Sequence, residues 1–432
     1  MTVAPDTIRE LELNPTNMKL QNSTILFIAI VLFQCAPKKN QNPESPMPTE
    51  YQKGQFGYDL NFLKKYHRDL VVLGNDSAGA QLLVLPAYQG RVMTSTASGA
   101  NGNSFGWLNH DLIASAKTSE HMTAFGGEER FWLGPEGGQF SIYFKKGVPF
   151  TFDNWFVPKE IDTEPFTLII SSATEAKFEK DMHMENYSGT KFDLKVNRNI
   201  RLIARDSLKR ILGAEIPDGL DMVAFESENT ITNIGPEAWT KKSGLLSIWI
   251  LSMLQASDSG VVGVPFKKGS EKELGKIVTD TYFGKVPPDR LQIKDGLLVF
   301  KADANYRSKI GISPQRALPL VCSYDPEKQL LTLAQFTLPP NATDYVNSLW
   351  EQQKEPFRGD AINAYNDGPV EDGSQAGRFY EIESSSPAAA LRPGESLTHV
   401  HRTIHFQGSK EALEKIVSQV LSISLSDISF KE

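Results

Sequence analysis

The chain has 432 residues, 40% of them hydrophobic, so it can bury a sizeable core as one to three domains, and large all-β folds often run long as a single unit. Its formal net charge is −7 and its basic residues form no run beyond pairs such as Lys145-Lys146 and Lys241-Lys242, which leaves no electrostatic footprint for nucleic acid. With Gly 32, Pro 25, Phe 24 and Tyr 12, the composition suits strands and turns better than a helical bundle.

The first element is an export signal. Ile25 to Phe33 is an unbroken apolar run, far short of the ~20 residues that span a bilayer but matched to the apolar centre of a signal peptide. Lys19 supplies the positive flank, so residues 18–35 read as a complete signal and residues 1–17 as an upstream extension. The run ends Leu32-Phe33-Gln34-Cys35, which resembles a bacterial lipoprotein signal, with Cys35 as the first mature residue and the lipidation site. Leu32 fits that pattern, and Gln34 departs from the small residue usual before the cysteine; an ordinary secretory signal is the alternative. Residues 36–54 are polar and proline-rich and read as a disordered tether.

Residues 55–430 read as a single β-sandwich domain. Gln81–Tyr88, Phe166–Ser172 and Lys191–Ile203 have strand patterns. In the last, Phe192, Leu194, Val196, Ile200 and Leu202 share one face; Arg198 interrupts it and reads as a rim residue. Two hairpins are marked by Lys294-Asp295-Gly296 and by Asp325-Pro326-Glu327-Lys328. Cys322 lies in an apolar run and reads as a buried small hydrophobe; two cysteines make no disulfide framework. Near the C-terminus Ser409 is a plausible N-cap, and Ala412, Leu413, Ile416, Val417, Val420 and Leu421 form one apolar helical stripe suited to packing on the sandwich edge. There is no P-loop, dinucleotide fingerprint or metal motif, so no cofactor is implied.

Four stretches carry groups suited to chemistry. Gly126 to Gly138 brackets an aromatic segment with glycine pairs; if extended, Glu128, Arg130 and Trp132 share a face, and Glu136 follows. An indole stacks on the C–H face of a sugar while charged groups take its hydroxyls; a rigid structural turn with a local ion pair is the alternative. In Ala364 to Pro369, Asn366 and Asp367 read as a turn and as further sugar or cation ligands. In Phe379 to Ser384, Glu381 and Glu383 project from one strand face and Tyr380 and Ile382 from the other. That carboxylate pair suits hydroxyl binding, a cation or a general base, or is simply a solvated face. In Thr398 to Phe406, His399, His401, Thr403 and His405 share a face that reads first as a polar sheet face, with sugar-site hydrogen bonding and metal binding as the alternatives. His110 and His121 are isolated.

Together these stretches resemble the galactose mutarotase-like (aldose 1-epimerase-like) superfamily, and within it an uncharacterised set of bacterial lipoproteins. Glu383 followed by Pro387 and then Leu391-Arg392-Pro393-Gly394-Glu395 resembles its C-terminal signature, and Asn229 to Gly235 its mid-chain strand and turn. The resemblance covers residues 55–425. It implies a large antiparallel β-supersandwich that binds sugar on a concave sheet face, with Glu383 at the position of the catalytic base. The acid has no match: the stretch where the superfamily has a histidine reads Gly244 to Ile250 without one, and Phe125 replaces the histidine before the glycine pair. His121, His399 and His401 are the candidates to replace it. The resemblance therefore implies a lipid-anchored carbohydrate-binding protein, with a sugar epimerase using Glu383 or an envelope scaffold as alternatives.

Overall fold

The computed structural model describes residues 50–74 and 79–430. The signal segment, Cys35 and most of the tether lie outside the described residues. Among these residues, eighteen strands form three sheets in which neighbouring strands run antiparallel. The largest has ten strands in the order Leu291–Lys294, Leu297–Lys301, Val261–Pro265, Leu320–Asp325, Leu330–Phe336, Ser396–Gln407, Asp221–Asn233, Lys191–Leu202, Glu175–Glu185 and Thr167–Ser171. Facing it is a five-stranded sheet in the order Ser308–Ile312, Ile362–Asn366, Phe379–Ser385, Ser247–Gln255 and Arg130–Gly134. A three-stranded sheet holds Val71–Gly74, Gln81–Leu85 and Arg91–Thr96. The mainly β, antiparallel sandwich with a C-terminal helix is the fold read from the sequence.

Alternation explains most of the layering. Ile310, Ile312, Ile362, Ala364, Tyr380 and Ile382 point from the five-stranded sheet onto Val262, Leu298, Phe300, Val321 and Phe336 of the ten-stranded one. Both expected hairpins form, with Gly296 at φ +81° in the first and the Asp325 carboxylate accepting from the Glu327 and Lys328 amides at 3.0 and 3.1 Å in the second. The strand expected over 81–88 stops at Leu85, because Pro86 has no N–H to continue the ladder and opens a short 3-10 turn. The stretch expected as a turn from Ala364 is strand through Asn366, and the chain leaves the sheet only at Asp367.

Arg198 is not at the rim. It lies on the inward face of its strand and is buried completely, donating to Glu129 Oε1 at 2.8 Å, Asn229 Oδ1 at 2.6 Å and the Gly90 carbonyl at 3.1 Å. A guanidinium is tolerated there only because a counter-charge and acceptors meet it.

The C-terminal helix spans Lys410–Leu421, with Ser409 Oγ accepting from Ala412 N at 3.3 Å. It covers the outer face of the ten-stranded sheet rather than an edge: Leu413, Ile416 and Val417 sit on Leu331, Leu333, Ile404 and Phe406. The outer face of these strands is apolar, so it also needs a cover. Cys322 is buried in this layer and burial pushes its thiol up to about 12, an inert environment. A helix at Phe56–Tyr66, not read from the sequence, covers the three-stranded sheet with Phe56 and Leu63. No helix among the described residues is long and apolar enough to cross a membrane.

The two stretches that carried the family resemblance dock on each other. Asn233 Nδ2 donates to the Leu391 carbonyl at 3.0 Å, its backbone N–H to Glu395 O at 3.0 Å, and its carbonyl accepts from Gly394 N at 2.7 Å.

Candidate functional site

The Phe379–Ser385 strand lies in the middle of the five-stranded sheet and presents Glu381 and Glu383 on the face turned away from the ten-stranded sheet. Register places Glu383 opposite Leu251 and Asn363, and Leu251 opposite Arg130, so these side chains share that face. Trp249 and Trp132 pair in the next row, their rings meeting edge-on at 5.6 Å. Lys309, opposite Tyr365, joins the same face from the edge strand.

The charges are deeply buried and paired. Glu383, 1% exposed, accepts at Oε2 from Lys309 Nζ and from the Trp249 indole N–H, both at 2.9 Å. Its other oxygen, Oε1, is buried without a protein partner. Glu381 accepts from Arg130 Nη2 at 2.7 Å, and the Arg130 guanidinium lies 4.3 Å from the Trp132 ring centre. Lys309 stands 4.8 Å from the Trp249 ring centre; burial would lower its pKa, but Glu383 and Glu136 hold it above its ordinary value. Burial pushes Glu381 up to about 7 against the pull of Arg130, with Glu383 adding to the rise.

Glu136 approaches from the loop after the Arg130–Gly134 strand and is half-buried. Burial raises its carboxyl to about 7, against Lys309 and with help from the Glu383 charge. At the far side Tyr282 donates to Asp360 Oδ2 at 2.6 Å and accepts from Asn363 at 3.2 Å. Burial lifts Asp360 to about 6. Gly311 is required beneath it, because a Cβ there would stand 2.0 Å from Asp360 Oδ2.

Five of the residues singled out from the sequence therefore come together: Arg130, Trp132, Glu136, Glu381 and Glu383. Glu128 does not join them. Residues 128 and 129 pair with Met93 and Val92, and only from Arg130 does the chain pair with the Ser247–Gln255 strand, so the alternation expected from Glu128 through Trp132 breaks at the crossing between sheets. Asp367 borders the site through Tyr365, whose hydroxyl donates to Asp367 Oδ1 at 2.7 Å. Asn366 is on the opposite face of its strand and holds the 303–306 loop, accepting from Ala304 N and donating to Tyr306 O, both at 2.9 Å.

His399 and His401 are also across the sheet. Ser384 Oγ lies 2.8 Å from His399 Nε2 and 2.9 Å from His401 Nδ1, on the strand face opposite Glu383. The histidine face expected to be a polar surface is an interior layer, and burial holds both imidazoles down near 3, hence neutral. His121 is occupied elsewhere, with Nδ1 2.7 Å from the Trp155 carbonyl and its ring between Phe152 and Phe156. His110 pairs with Asp59 at 2.7 Å.

Sequence reasoning missed Lys309, Asn363, Tyr282 and Asp360. For Lys309 a signal existed: a lysine between Ser308 and Ile310 in a short apolar strand has no solvated face to occupy and needs a counter-charge.

A family model described as "Family of unknown function (DUF6786)" matches residues 54–431. No curated protein matches the chain. Among solved structures the chain is similar in fold to the Slr1438 protein from Synechocystis sp. PCC 6803, at 12% identity and TM-score 0.49, with 78% of this chain and 96% of that one covered. It is likewise similar to a galactose mutarotase-like protein from Lactobacillus casei ATCC 334, at 8% identity and TM-score 0.46, covering 78% and 99%. A galactose mutarotase related enzyme from Lactobacillus acidophilus shares 10% identity at TM-score 0.41, covering 78% and 97%.

Proposed function

The chain belongs to DUF6786, a family of unknown function, and from its own side chains we propose that it binds carbohydrate on the outward face of the five-stranded sheet. The observation that carries this reading is Glu383 Oε1, a buried acceptor left open while Oε2 is held by Lys309 and Trp249. A sugar hydroxyl satisfies that oxygen. The ion pairs hold both carboxylates in fixed rotamers, which lowers the ordering cost of binding. Glu383, Trp132 and Trp249 are 1%, 3% and 5% exposed, so entry requires the segments covering them to part. Titration of D-galactose and D-glucose by ligand-observed NMR tests this: Glu383→Gln is expected to weaken binding at least tenfold, and binding of both sugars unchanged in that variant would overturn it.

A second reading, proton transfer at the anomeric carbon, is favoured by one observation. Glu136 has a pKa near neutrality beside Glu383, which Lys309 keeps ion-paired. Two carboxyls with different environments suit an acid and a base, and Glu136 takes the place the histidines do not fill. Anomeric exchange by NMR that depends on both Glu383 and Glu136, and declines above pH 7 as Glu136 loses its proton, is the expected result. Equal rates in wild type and Glu136→Gln would remove this reading.

We place the protein in the bacterial cell envelope, exported and lipid-anchored through Cys35, on the strength of its apolar signal and cysteine. Cys35→Ser is expected to abolish lipid labelling; a variant that still labels and stays with membranes would sink the anchor.

A further inference from the structure

A second cavity, of about 380 Å³, opens where the two large sheets part, on the other side of the five-stranded sheet from Glu383. That volume falls in the ~300–1,000 Å³ range of small-molecule sites. Thr332 and His405 reach it from the ten-stranded sheet and Gln255 and Tyr380 from the five-stranded one, with Phe105 as a wall and Asn103 at the rim. The place is the interior of a sandwich, where apolar packing is the rule, and its polar lining departs from that rule.

The floor is built. His405 Nε2 lies 2.8 Å from Glu128 Oε1, and its Nδ1 lies 2.8 Å from Thr332 Oγ1. Ser95 Oγ donates to the same Glu128 oxygen at 2.7 Å, and Phe105 stacks on the imidazole at 4.4 Å. Glu128 Oε1 accepts from Nε2, and Nδ1 shares a hydrogen bond with the Thr332 hydroxyl, which fixes both rotamers. Tyr380 OH and Ser323 Oγ share a 2.6 Å hydrogen bond beside it. Glu128, behind His405, is buried and keeps its Oε2 without a protein partner.

We propose that this cavity, whose lining also includes Lys53 and Lys328, is a second binding site for a polyhydroxylated molecule of one or two sugar rings. Amides and hydroxyls with donor and acceptor in one group suit sugar hydroxyls, and Phe105 supplies an apolar wall for a ring's C–H face. The site stands apart from the Glu383 site, and the two fail independently. Full-length protein is titrated with D-galactose, D-glucose and maltose by NMR. Asn103→Trp, at an exposed rim position, closes the mouth without touching the core, and Thr332→Val removes the floor hydroxyl while keeping its shape. Binding of at least one sugar that survives Glu383→Gln, falls at least tenfold in Asn103→Trp and weakens in Thr332→Val is the expected outcome. No binding of the three sugars at 50 mM, or binding that Asn103→Trp leaves intact, overturns the proposal, and in the latter case Glu383→Gln reports whether the outward face holds the sugar instead.

Discussion

The two faces of the Phe379–Ser385 strand solve the same problem in opposite ways. Outward, Glu381 and Glu383 are paired with Arg130 and Lys309. Inward, Tyr380 and Ser384 meet Ser323, His399 and His401 through neutral hydrogen bonds, with the imidazoles kept uncharged by burial. Both faces are buried, so exposure does not distinguish them. What differs is the direction in which burial shifts the groups: it raises the Glu381 and Glu136 carboxyls and lowers the His399 and His401 imidazoles. The inward face is suited to specifying how the sheets register.

The interior also holds a buried ion pair, Arg198 with Glu129, and it provides the largest test. Both side chains are fully buried, and removing one leaves an uncompensated charge. Arg198→Met is expected to cost about 3–5 kcal/mol in urea unfolding, and Arg198→Met with Glu129→Gln to recover most of it. A cost below about 1 kcal/mol would mean that water reaches the pair and that the inward layer is not the closed network described.

Next in size is a difference in pH dependence. His399 and His401 have native pKa values near 3 against an ordinary 6.5, so the unfolded chain takes protons first as pH falls. Their stabilisation is present above 6.5 and is lost downward, by about 2 kcal/mol per histidine at pH 5. Glu136 behaves oppositely. Its native pKa near 7 exceeds the ordinary 4.5, so its contribution is full below 4.5 and lost as pH rises through 7. The loss is about 1 kcal/mol between pH 5 and 8 once solvent screening of the half-buried carboxyl is allowed for. His401→Gln should flatten only the acid limb of a stability–pH curve, and Glu136→Gln only the alkaline limb. If either substitution flattens both limbs, the faces are coupled and the contrast between them fails.

These two faces also mark where sequence reading succeeds and stops. Period-2 alternation assigned Glu381 and Glu383 to one side and Tyr380 and Ile382 to the other, because a strand has no other way to place them. Hairpins and the C-terminal helix followed from local turn and cap chemistry in the same way. Alternation does not say which side faces a second layer. His399, His401 and Arg198 were assigned to a surface or rim because polar side chains usually go there, and the sandwich buried them instead. Lys309 and Asp360, about seventy residues and twenty residues from Glu383 in sequence, reach it only through sheet order, which pairs strands distant in the chain. Glu128 was misplaced because the switch from one sheet partner to another at Arg130 leaves no mark in residue type.

The smallest expected effect compares single donors on the two faces. Trp249→Phe removes the indole N–H that reaches Glu383, and Tyr380→Phe removes the hydroxyl shared with Ser323; each keeps most of its ring. A hydrogen bond to a charged acceptor is worth about 1.5–3 kcal/mol and one between neutral groups about 1. Trp249→Phe should therefore cost more, although Lys309 remains to hold Glu383 Oε2 and keeps the loss toward the lower figure. Parallel urea titrations at pH 7 measure both. If Tyr380→Phe proves the costlier, the neutral layer is the more cooperative one, since a hydroxyl whose removal exceeds its own bond must also have ordered its neighbours. The Glu383 carboxylate would then owe its position to the sheet rather than to its donors, and the open Oε1 acceptor should remain in place after Trp249 is replaced.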